Sequence, residues 1–546
     1  MDEDGPSFLL PLSLFFVVGV SLVINRGFHN NAVPFRIPPP PQIGPRFEAR
    51  TIPNPNVESH QRHPELRPSP WIEGIRYITC FDPTGGFYLD TLPADNTGQI
   101  LNKIARAADA QKEWKKTSFR DRRRVMISLK EWLVDNQETC ARVVCRDTGK
   151  TLLDAALGEI MTTCSKLDWL IKHGEEQLPL YNAWSPIVAA LFSGNAIVLK
   201  CSKNVVWSTT WFVEAVRECL RACGRDPELI QLVTITRSPI IRHITFIGSE
   251  DVGRQVAMAA TEHLTPVTLE LGGKDPAIIL PYTNLKQWAS LWMRGIFHNA
   301  GQNCIGIERL IRRAEELRLG STLTNPGDGF VPTVDVGAMI NEDRVRHTEE
   351  LVRLAANAGL DFQGGERYRH PYLEHGTYFI PTVIGDVSPQ SQCAQREREC
   401  LRARTLIIKY ETVQEAIDIA NGTRYGLGAS CVKVARQLEC GMVSINGYGE
   451  FYVSDQDLPF GGTKSSGYGR FGGAEGLRAL TTTKAIVEDR FGWAMQTTIP
   501  RQLDYPVGSL KDSWYGIRQR ADRFAYGNSW WARAQSLVQL IRASRR

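Results

Sequence analysis

Two residues of this chain have the chemistry of a covalent catalyst, and the first is Cys304. It ends the segment 297–304, FHNAGQNC, whose small and glycine-rich residues let a substrate approach a thiol closely. A thiolate is a strong nucleophile once its pKa is lowered, for example at a helix N-terminus. Taken alone, a single cysteine is more often a buried structural residue.

The second residue is Glu270, in the segment 267–274, VTLELGGK. The pattern places its carboxylate at the end of a strand, just before a glycine turn. A carboxylate in that position can take a proton from a thiol or from water. Taken alone, Glu270 would be interpreted as a solvated charge.

A third segment has the chemistry of anion binding. Residues 248–253, GSEDVG, follow a predicted strand and open a predicted helix. The N-terminus of a helix offers backbone N–H groups and the positive end of the helix dipole to a phosphate. The segment differs from the usual G-x-G-x-x-G pattern, so by itself it indicates a nucleotide only weakly.

The elements that must position these residues alternate between strand and helix. A strand, a turn and a second strand are predicted over 77–89, and helical spacing runs from Asn96 to about Glu176. A buried strand at 196–200 and another strand at 244–247 then alternate with helices. This order predicts a parallel, doubly wound sheet. The basic run Arg120–Arg124 is expected to be a solvated helix face.

Composition limits the class of protein. The 546 residues are too many for one ordinary domain, and 42% hydrophobic with 23% charged residues are typical of globular proteins. A net charge of +5 does not predict nucleic-acid binding. The 12 cysteines are scattered without zinc-type spacing, so no metal site is expected and a reducing compartment is indicated.

The N-terminus has the properties of a membrane anchor. Phe8–Ile24 is an uncharged apolar run at the lower length limit for crossing a bilayer. An acidic start and the lack of a cleavage site make a signal peptide the weaker reading. Arginines follow the run, so a single-pass anchor would leave the rest of the chain in the cytosol. The sequence does not name the membrane; the endoplasmic reticulum is one candidate.

Two further segments flank the globular part. Residues 31–71 are rich in proline and are predicted to be a linker or an arm laid over the surface. The C-terminal residues 490–546 combine tryptophans with many arginines, and 530–546 has a basic helical pattern. That helix could lie on an anionic membrane surface or pack as a tail, and both use the same apolar face.

Taken in order, the motifs resemble those of the aldehyde dehydrogenase superfamily. The resemblance covers about residues 78–488, and the apolar N-terminus with the region of Tyr448 resembles a fungal, membrane-associated branch. Six segments carry it: GNxxVxK at 194–200, GSxxVG at 248–253, LELGGK at 269–274, GQNC at 301–304, IANxxxYGL at 419–427 and LPFGGxKxSG at 458–467.

The resemblance implies a fold and a reaction. The fold would be α/β, with a Rossmann-type nucleotide-binding domain and an α/β catalytic domain. Cys304 would attack the aldehyde and form a thiohemiacetal, hydride would pass to the nicotinamide of NAD or NADP, and Glu270 would activate water to hydrolyse the thioester. Dimers or tetramers are expected by analogy. The residues implied to bind the cofactor are Lys200, Gly248, Ser249, Gly253, Leu271 and Glu397.

The resemblance also divides the chain. The nucleotide-binding domain is expected to include the early strands of an oligomerisation extension, and the chain is expected to return to that domain after the catalytic domain. The expected segments are 1–30 (membrane anchor), 31–76 (proline-rich arm), 77–268 (nucleotide-binding domain), 269–445 (catalytic domain), 446–489 (return and oligomerisation strand) and 490–546 (basic, aromatic tail).

The chain departs from the family pattern at several places. The strand and the oxyanion-binding Asn that precede Pro179 in the family are absent, and loss of one such donor can cost about 10²–10³ in rate. Glu399 replaces a phenylalanine that packs on the nicotinamide ribose. Lys203 stands where the family commonly has a glutamate at the adenine ribose; it would tolerate a 2′-phosphate, which predicts that NADP is accepted, and the alternative is an ordinary surface lysine. The alternatives to an active enzyme are therefore an impaired, membrane-tethered scaffold or an incomplete gene model.

Overall fold

The computed structural model describes the larger part of the chain. The described residues are 31–44, 47, 50–53, 55–56, 58–177, 184–233, 240–280, 283–302, 316–323, 332–391, 404–431, 434–447, 458–470, 473–482, 484–486, 488, 493, 504–506, 519–526 and 529–544.

The helices follow the order expected from the sequence, with short helical turns before the first of them. They are α1 (Thr97–Trp114), α2 (Phe119–Asp135), α3 (Gln137–Thr148), α4 (Leu152–Ala155), a π-helical segment (Ala156–Met161) that continues into α5 (Thr162–Gln177), α6 (Trp184–Phe192), α7 (Val206–Ala222), α8 (Glu250–Thr261), α9 (Leu285–Phe297), α10 (Glu342–Asn357), α11 (Val413–Asn421), α12 (Gly473–Ala479), α13 (Gln519–Tyr526) and α14 (Trp530–Ser544).

The strands form several small sheets. They are β1 (Tyr77–Asp82), β2 (Phe87–Pro93), β3 (Ile197–Lys200), β4 (Ile230–Val233), β5 (Ile244–Gly248), β6 (Val267–Leu271), β7 (Phe362–Gln363), β8 (Arg367–His370), β9 (Leu373–Phe379), β10 (Thr382–Ile384), β11 (Arg404–Leu406), β12 (Tyr425–Gly426), β13 (Gly428–Cys431), β14 (Met442–Ile445), β15 (Thr463–Lys464) and β16 (Gly467–Tyr468). The pairs β3–β4, β5–β6, β10–β11 and β13–β14 are parallel.

Local sequence signals explain the first elements. The predicted strand-turn-strand is the antiparallel pair β1–β2. The Asn96 side chain accepts from the Gln99 N–H, and the Gln99 side chain accepts from the Asn96 N–H in return, so a capping box starts α1. Ser118 and Asp121 start α2 in the same way. The helical region predicted from Asn96 to about Glu176 is therefore confirmed, as helices α1 to α5.

The largest apolar cluster lies among α2, α5, α6 and α7. Leu129, Leu170, Leu191 and Val216 are all fully buried in it. Burial of such side chains contributes roughly 1.5–3 kcal/mol each relative to exposure. This cluster holds the helices that flank β3 and β4 in one rigid body.

The basic run Arg120–Arg124 is not the solvated helix face that the sequence predicts. Arg122 is buried and donates hydrogen bonds to the carbonyls of Phe192 (3.1 Å), Lys115 and Thr117 (both 3.0 Å). A buried guanidinium needs such acceptors, because it cannot deprotonate. Arg122 therefore joins the start of α2 to the end of α6.

The proline-rich segment is an arm on the surface where it is described. The N–H of Val33 donates to Ser128 Oγ over 2.8 Å, and the Phe35 ring stacks on Trp132. Trp211 Nε1 donates to the carbonyl of Pro38 over 3.0 Å. Residues 31–44 therefore lie along α2 and α7, as the second of the two sequence interpretations expects.

The sheet expected to bind the nucleotide is interrupted in the part of the chain that the structure describes. Among the described residues, β3 pairs with β4, while β5 pairs with β6 and β6 with β16, so that the two parallel pairs form separate sheets. This arrangement is expected if a central strand is missing. The strand predicted as buried at 196–200 is only half-buried. Strand β5 is also half-buried, and the side chain of Ile247 is 44% exposed.

The chain divides into two compact units, Met1–Thr482 and Thr483–Arg546. Helices α13 and α14 belong to the second unit, where the described residues 484–486 and 488 are not in a strand. None of the helices built from the described residues is long and apolar enough to cross a membrane. The predicted anchor, Phe8–Ile24, lies outside these residues.

Candidate active site

The site is built around strand β6 and its carboxylate. In β6, Glu270 is opposite Ile247 of the parallel strand β5 and opposite Gly467 of the antiparallel strand β16. The side chain of Glu270 is 2% exposed. Transfer of a carboxylate from water is costly, so a fold retains one in such a place only with compensating interactions. Glu270 is therefore not the solvated charge that its sequence context alone would suggest.

The glycine turn after Glu270 is held by one hydroxyl. Ser466 Oγ donates to the carbonyl of Gly272 over 2.9 Å and accepts from the N–H of Gly426 over 3.0 Å. The Leu271 N–H donates to the Ser466 carbonyl over 3.0 Å. Ser466 thus links three of the six motifs. Its position in the 458–467 motif was the signal available in the sequence, but its role was not predicted.

Gly467 allows β16 to approach β6. Its φ is +103°, a conformation that side chains rarely adopt, and a Cβ at this position would fall against the carbonyl oxygen of Leu269. Only glycine fits such a close backbone contact. The register that frames Glu270 therefore depends on this residue.

The segment that leads to Cys304 has an unusual backbone. Asn299, Ala300 and Gly301 have φ values of 57°, 53° and 69°. The left-handed conformation costs a non-glycine residue about 1–2 kcal/mol. Two such residues in succession require support from the surrounding structure.

Asp154 supplies that support from another helix. Its Oδ2 accepts from the Asn299 N–H over 3.0 Å, and its Oδ1 accepts from Arg294 Nη1 over 2.8 Å and from His298 Nδ1 over 2.9 Å. Burial raises the pKa of Asp154, but His298, Asn299 and Arg294 together outweigh it and lower the pKa below its usual value. The carboxylate is therefore ionised while it holds the loop. Asp154 is not among the site residues predicted from the sequence.

Gln302 fixes the last described turn before Cys304. Its Oε1 accepts from the Ile340 N–H over 3.0 Å, and its Nε2 donates to the carbonyl of Asn299 over 3.3 Å. Cys304 itself and Glu397 lie outside the described residues. That they share a site with Glu270 stays a prediction.

The predicted phosphate-binding residues lie where β5 meets α8. Gly248 ends β5 and Ser249 is the N-cap of α8, with no hydrogen bond from its side chain to the helix. A Cβ on Gly253 would lie 2.5 Å from Leu271 Cδ2, so Gly253 packs directly on β6. The structure therefore brings Gly248, Ser249, Gly253 and Leu271 to the same strand pair as Glu270.

Charges at the start of α8 are balanced within the protein. Glu250 pairs with Arg254 (2.6 Å) and with Arg424 (3.1 Å). Arg424 also lies over the ring of Tyr425. An unpaired acid beside the helix N-terminus would repel a phosphate, and these arginines reduce that repulsion.

Lys200 is placed apart from the other cofactor residues. It is the exposed last residue of β3, opposite Val233 of β4, and no hydrogen bond among the described residues joins β3 to β5. Lys203 begins an exposed helical turn directly after it. The described residues fit the phosphates of a dinucleotide at the N-terminus of α8, where the side chain of the N-cap residue Ser249 makes no capping hydrogen bond.

Fold and site together define an α/β enzyme with a nucleotide-binding half and a buried carboxylate. The sequence model of the aldehyde dehydrogenase family matches residues 71–179 and 177–486. The chain belongs to the aldehyde dehydrogenase family. The class of enzyme and the use of NAD or NADP expected from the sequence are confirmed at the level of the family.

Individual proteins agree with this assignment. A putative aldehyde dehydrogenase-like protein of Schizosaccharomyces pombe is 39% identical over 532 residues, covering 86% of this chain and 99% of its own length. A similar protein of Saccharomyces cerevisiae is 38% identical, covering 86% and 83%. The solved Mycobacterium tuberculosis aldehyde dehydrogenase complexed with NAD+ has a TM-score of 0.65 at 25% identity, covering 76% of this chain and 96% of that one. The expected α/β fold is thereby confirmed.

Proposed function

We propose that this protein oxidises an aldehyde to a carboxylic acid through a covalent intermediate on Cys304, with Glu270 as the base. The observation that carries the proposal is the burial of Glu270 at the end of β6, next to a turn that Ser466 and Gly467 hold in place. A carboxylate fixed in this way is prepared to take a proton rather than to face solvent.

The proposed reaction has two stages. The thiolate of Cys304 adds to the aldehyde carbon and gives a thiohemiacetal, which loses hydride to become a thioester. Glu270 then takes a proton from water, whose oxygen attacks the thioester and releases the acid and the thiolate. When bound, the nicotinamide cofactor accepts the hydride.

The same proposal assigns the cofactor residues. Gly248, Ser249 and Gly253 would contact the phosphates, with Leu271 beside them, because they lie where β5 meets the N-terminus of α8. Lys200 and Glu397 would hold the riboses. Exposed Lys203 would tolerate a 2′-phosphate, so NADP should be accepted, and equal or better reduction of NAD than of NADP at matched concentration would contradict this.

A second candidate function is a non-catalytic scaffold. The separate sheets β3–β4 and β5–β6–β16 favour it, because an open edge between them would weaken the nucleotide site. An incomplete gene model would give the same gap. Sequencing the transcript separates these two, since a continuous frame matching this chain excludes the gene-model explanation.

Other assignments complete the proposal. Phe8–Ile24 would anchor the chain in a membrane, such as that of the endoplasmic reticulum, with the enzyme in the cytosol. The segments 77–268 and 269–445 would be the nucleotide-binding and catalytic domains. A dimer or tetramer is proposed by analogy.

Turnover of a panel of aliphatic and aromatic aldehydes with each cofactor tests the proposal. Cys304→Ser should abolish turnover, and Glu270→Gln should slow hydrolysis about 10²-fold or more while a first burst of reduced cofactor persists. Cys223→Ser is the matched control: its thiol pKa is lowered to about 7, chiefly by a hydrogen bond from Cys219, yet it lies outside the motifs. If the protein is folded but turns over no aldehyde, the non-catalytic scaffold becomes the remaining candidate function.

A further inference from the structure

The C-terminal residues differ in charge from the rest of the protein. Residues 490–546 contain ten Lys or Arg and three Asp or Glu, a net charge of +7. The whole chain carries +5, so the preceding 489 residues carry a net charge of −2. Four of the 13 tryptophans also fall in this segment. A mildly acidic protein therefore ends in a strongly basic, aromatic segment.

Helices α13 and α14 pack against each other within the second unit. On α14, Ser536 is buried and Leu540 is half-buried, and these two residues lie one turn apart on the same side. Ser536 and Leu540 therefore form the covered side of the helix.

The opposite side of α14 is apolar and exposed. Trp530 is 80% exposed, Trp531 73%, Leu537 37% and Val538 49%. At 100° per residue, these four positions fall within about a third of the helix circumference. Large side chains grouped on one exposed stripe are typical of a surface that another apolar phase covers.

Basic and aromatic residues are also exposed on both helices. Arg542 is exposed one turn beyond Val538 on α14, and α13 presents exposed Arg523 beside Phe524 and Tyr526. Arg545 and Arg546 follow in the sequence. Tryptophan and tyrosine favour the boundary between lipid and water, and arginine is attracted to anionic headgroups.

A second copy of this segment or a lipid surface could cover the stripe, and the net charge decides between these two partners. A second copy of residues 490–546 would bring two net charges of +7 together, and like charges oppose such an association. An anionic lipid surface has the complementary charge. A helix of 15 residues is about 22 Å long, too short to cross a bilayer core of about 30 Å, so it would lie in the plane of the surface.

We propose that α13 and α14 bind the surface of an anionic phospholipid bilayer, with Trp530 and Trp531 inserted among the headgroups and Arg523 and Arg542 contacting lipid phosphates. This contact is separate from the reaction proposed above and does not depend on it. It would also act independently of the anchor predicted at Phe8–Ile24.

Vesicle binding by the full chain tests this proposal. The background carries Phe16→Asp and Val18→Asp, which place two charges in the apolar run 8–24 and suppress insertion there. Flotation is measured with vesicles of phosphatidylcholine alone and with vesicles of which about a third is phosphatidylserine. Binding should be about tenfold stronger or more with phosphatidylserine and should fall as salt is raised.

Variants identify the residues responsible. Arg523→Gln with Arg542→Gln should weaken binding to the anionic vesicles about tenfold or more. The matched control is Arg353→Gln with Arg369→Gln, two exposed arginines of the first unit, which changes net charge equally and should leave binding unaltered. Trp530→Ala with Trp531→Ala should weaken binding and remove fluorescence quenching by brominated lipids, and phenylalanine at both positions should restore most of the binding.

Three outcomes would overturn the proposal. The first is equal binding to the neutral and the anionic vesicles. The second is anionic binding that the arginine and tryptophan variants leave unchanged. The third is a change of molecular mass by sedimentation in the Trp530→Ala, Trp531→Ala variant with no change in vesicle binding, which would assign the stripe to self-association. None of these readouts requires turnover, so failure here is distinct from failure of the proposed reaction.

Discussion

Two regions of the first unit differ in how their elements are joined. The catalytic-side frame, formed by β6, β16, Asp154 and the loop 298–302, is held by hydrogen bonds from Asp154, Gln302 and Ser466 to backbone groups. The nucleotide-side layer, formed by β3, β4, β5, α7 and α8, has half-buried strands in separate sheets. The residues proposed for chemistry are thus held more firmly than the surface proposed for the cofactor.

Two buried aspartates show the same contrast. Asp154 uses both oxygens, and its pKa lies below the usual value. Asp147 uses only Oδ2, which accepts from the N–H and Oγ of Ser208 at the start of α7, while Oδ1 has no hydrogen-bond partner among the described residues. Burial raises the pKa of Asp147 to about 7. Similar burial therefore gives opposite shifts, because the number of donors differs.

The largest expected effect comes from Gly467→Ala in the catalytic-side frame. The new Cβ would meet the Leu269 carbonyl at a positive φ, so we expect a loss of about 4 kcal/mol or loss of soluble protein. Gly359→Ala is the control, with φ of +68° and open space around it, and should cost about 1 kcal/mol. Urea unfolding measures both. Equal losses would show that β16 and β6 are not tightly joined.

Leu269→Ala and Ile247→Ala compare the two regions on paired strands. Leu269 is 4% exposed, and Leu269→Ala should lower the free energy of unfolding by about 3 kcal/mol, because a cavity remains in the frame. Ile247, 44% exposed on β5, should cost less than about 1 kcal/mol. Thermal unfolding of both variants gives the difference. A large loss for Ile247 would mean that the nucleotide-side layer is covered in solution.

Asp154→Asn should destabilise the loop before Cys304. An amide cannot accept from all three donors, so we expect a loss of about 2 kcal/mol at neutral pH and a fall in turnover of about tenfold or more. Because the folded pKa is lowered, the contribution of Asp154 is present above the unfolded value and disappears as pH falls through the folded one. Asp335→Asn, which breaks an exposed pair with Arg318, should cost less than about 1 kcal/mol. Similar effects of both variants on turnover would contradict a positioning role.

The smallest expected effect is that of Asp147→Asn, and its sign depends on pH. The folded pKa of about 7 lies above the unfolded value, so the folded state holds the proton more tightly. Stability therefore falls as pH rises from about 4 to 7 and is level above that. The variant should remove this slope and gain about 1 kcal/mol at pH 7 relative to pH 6. A parallel pH profile for the two proteins would show that Asp147 stays ionised.

Much of the fold could be predicted because its signals are local. Capping residues at Asn96 and Ser118, the hairpin β1–β2 and the alternation of strands and helices each depend on neighbours in the sequence. The family motifs likewise named Glu270, Gly248, Ser249 and Gly253. The gap in the nucleotide sheet was also visible, as a strand missing before Pro179.

Burial could not be predicted in the same way. Arg122 looked like part of a solvated run, but it meets the Phe192 carbonyl 70 residues away. The segment 196–200 looked like a buried strand, but β3 is half-buried, and among the described residues its sheet contains only β3 and β4. Both errors have one cause, since the exposure of a side chain depends on distant segments that cover it.

By itself, the sequence determined the chemical types available to this protein and the order of its elements: a thiol at 304, a carboxylate at 270 and a helix start at 249 that can face a phosphate. The tertiary structure decided which of them are held rigidly. Asp154 supports Asn299 across 145 residues of chain, and Ser466 fixes the turn at Gly272 across 194. Such pairs form only when folding brings remote backbone groups together, because the type of a donor or acceptor residue does not specify which distant group it will bond.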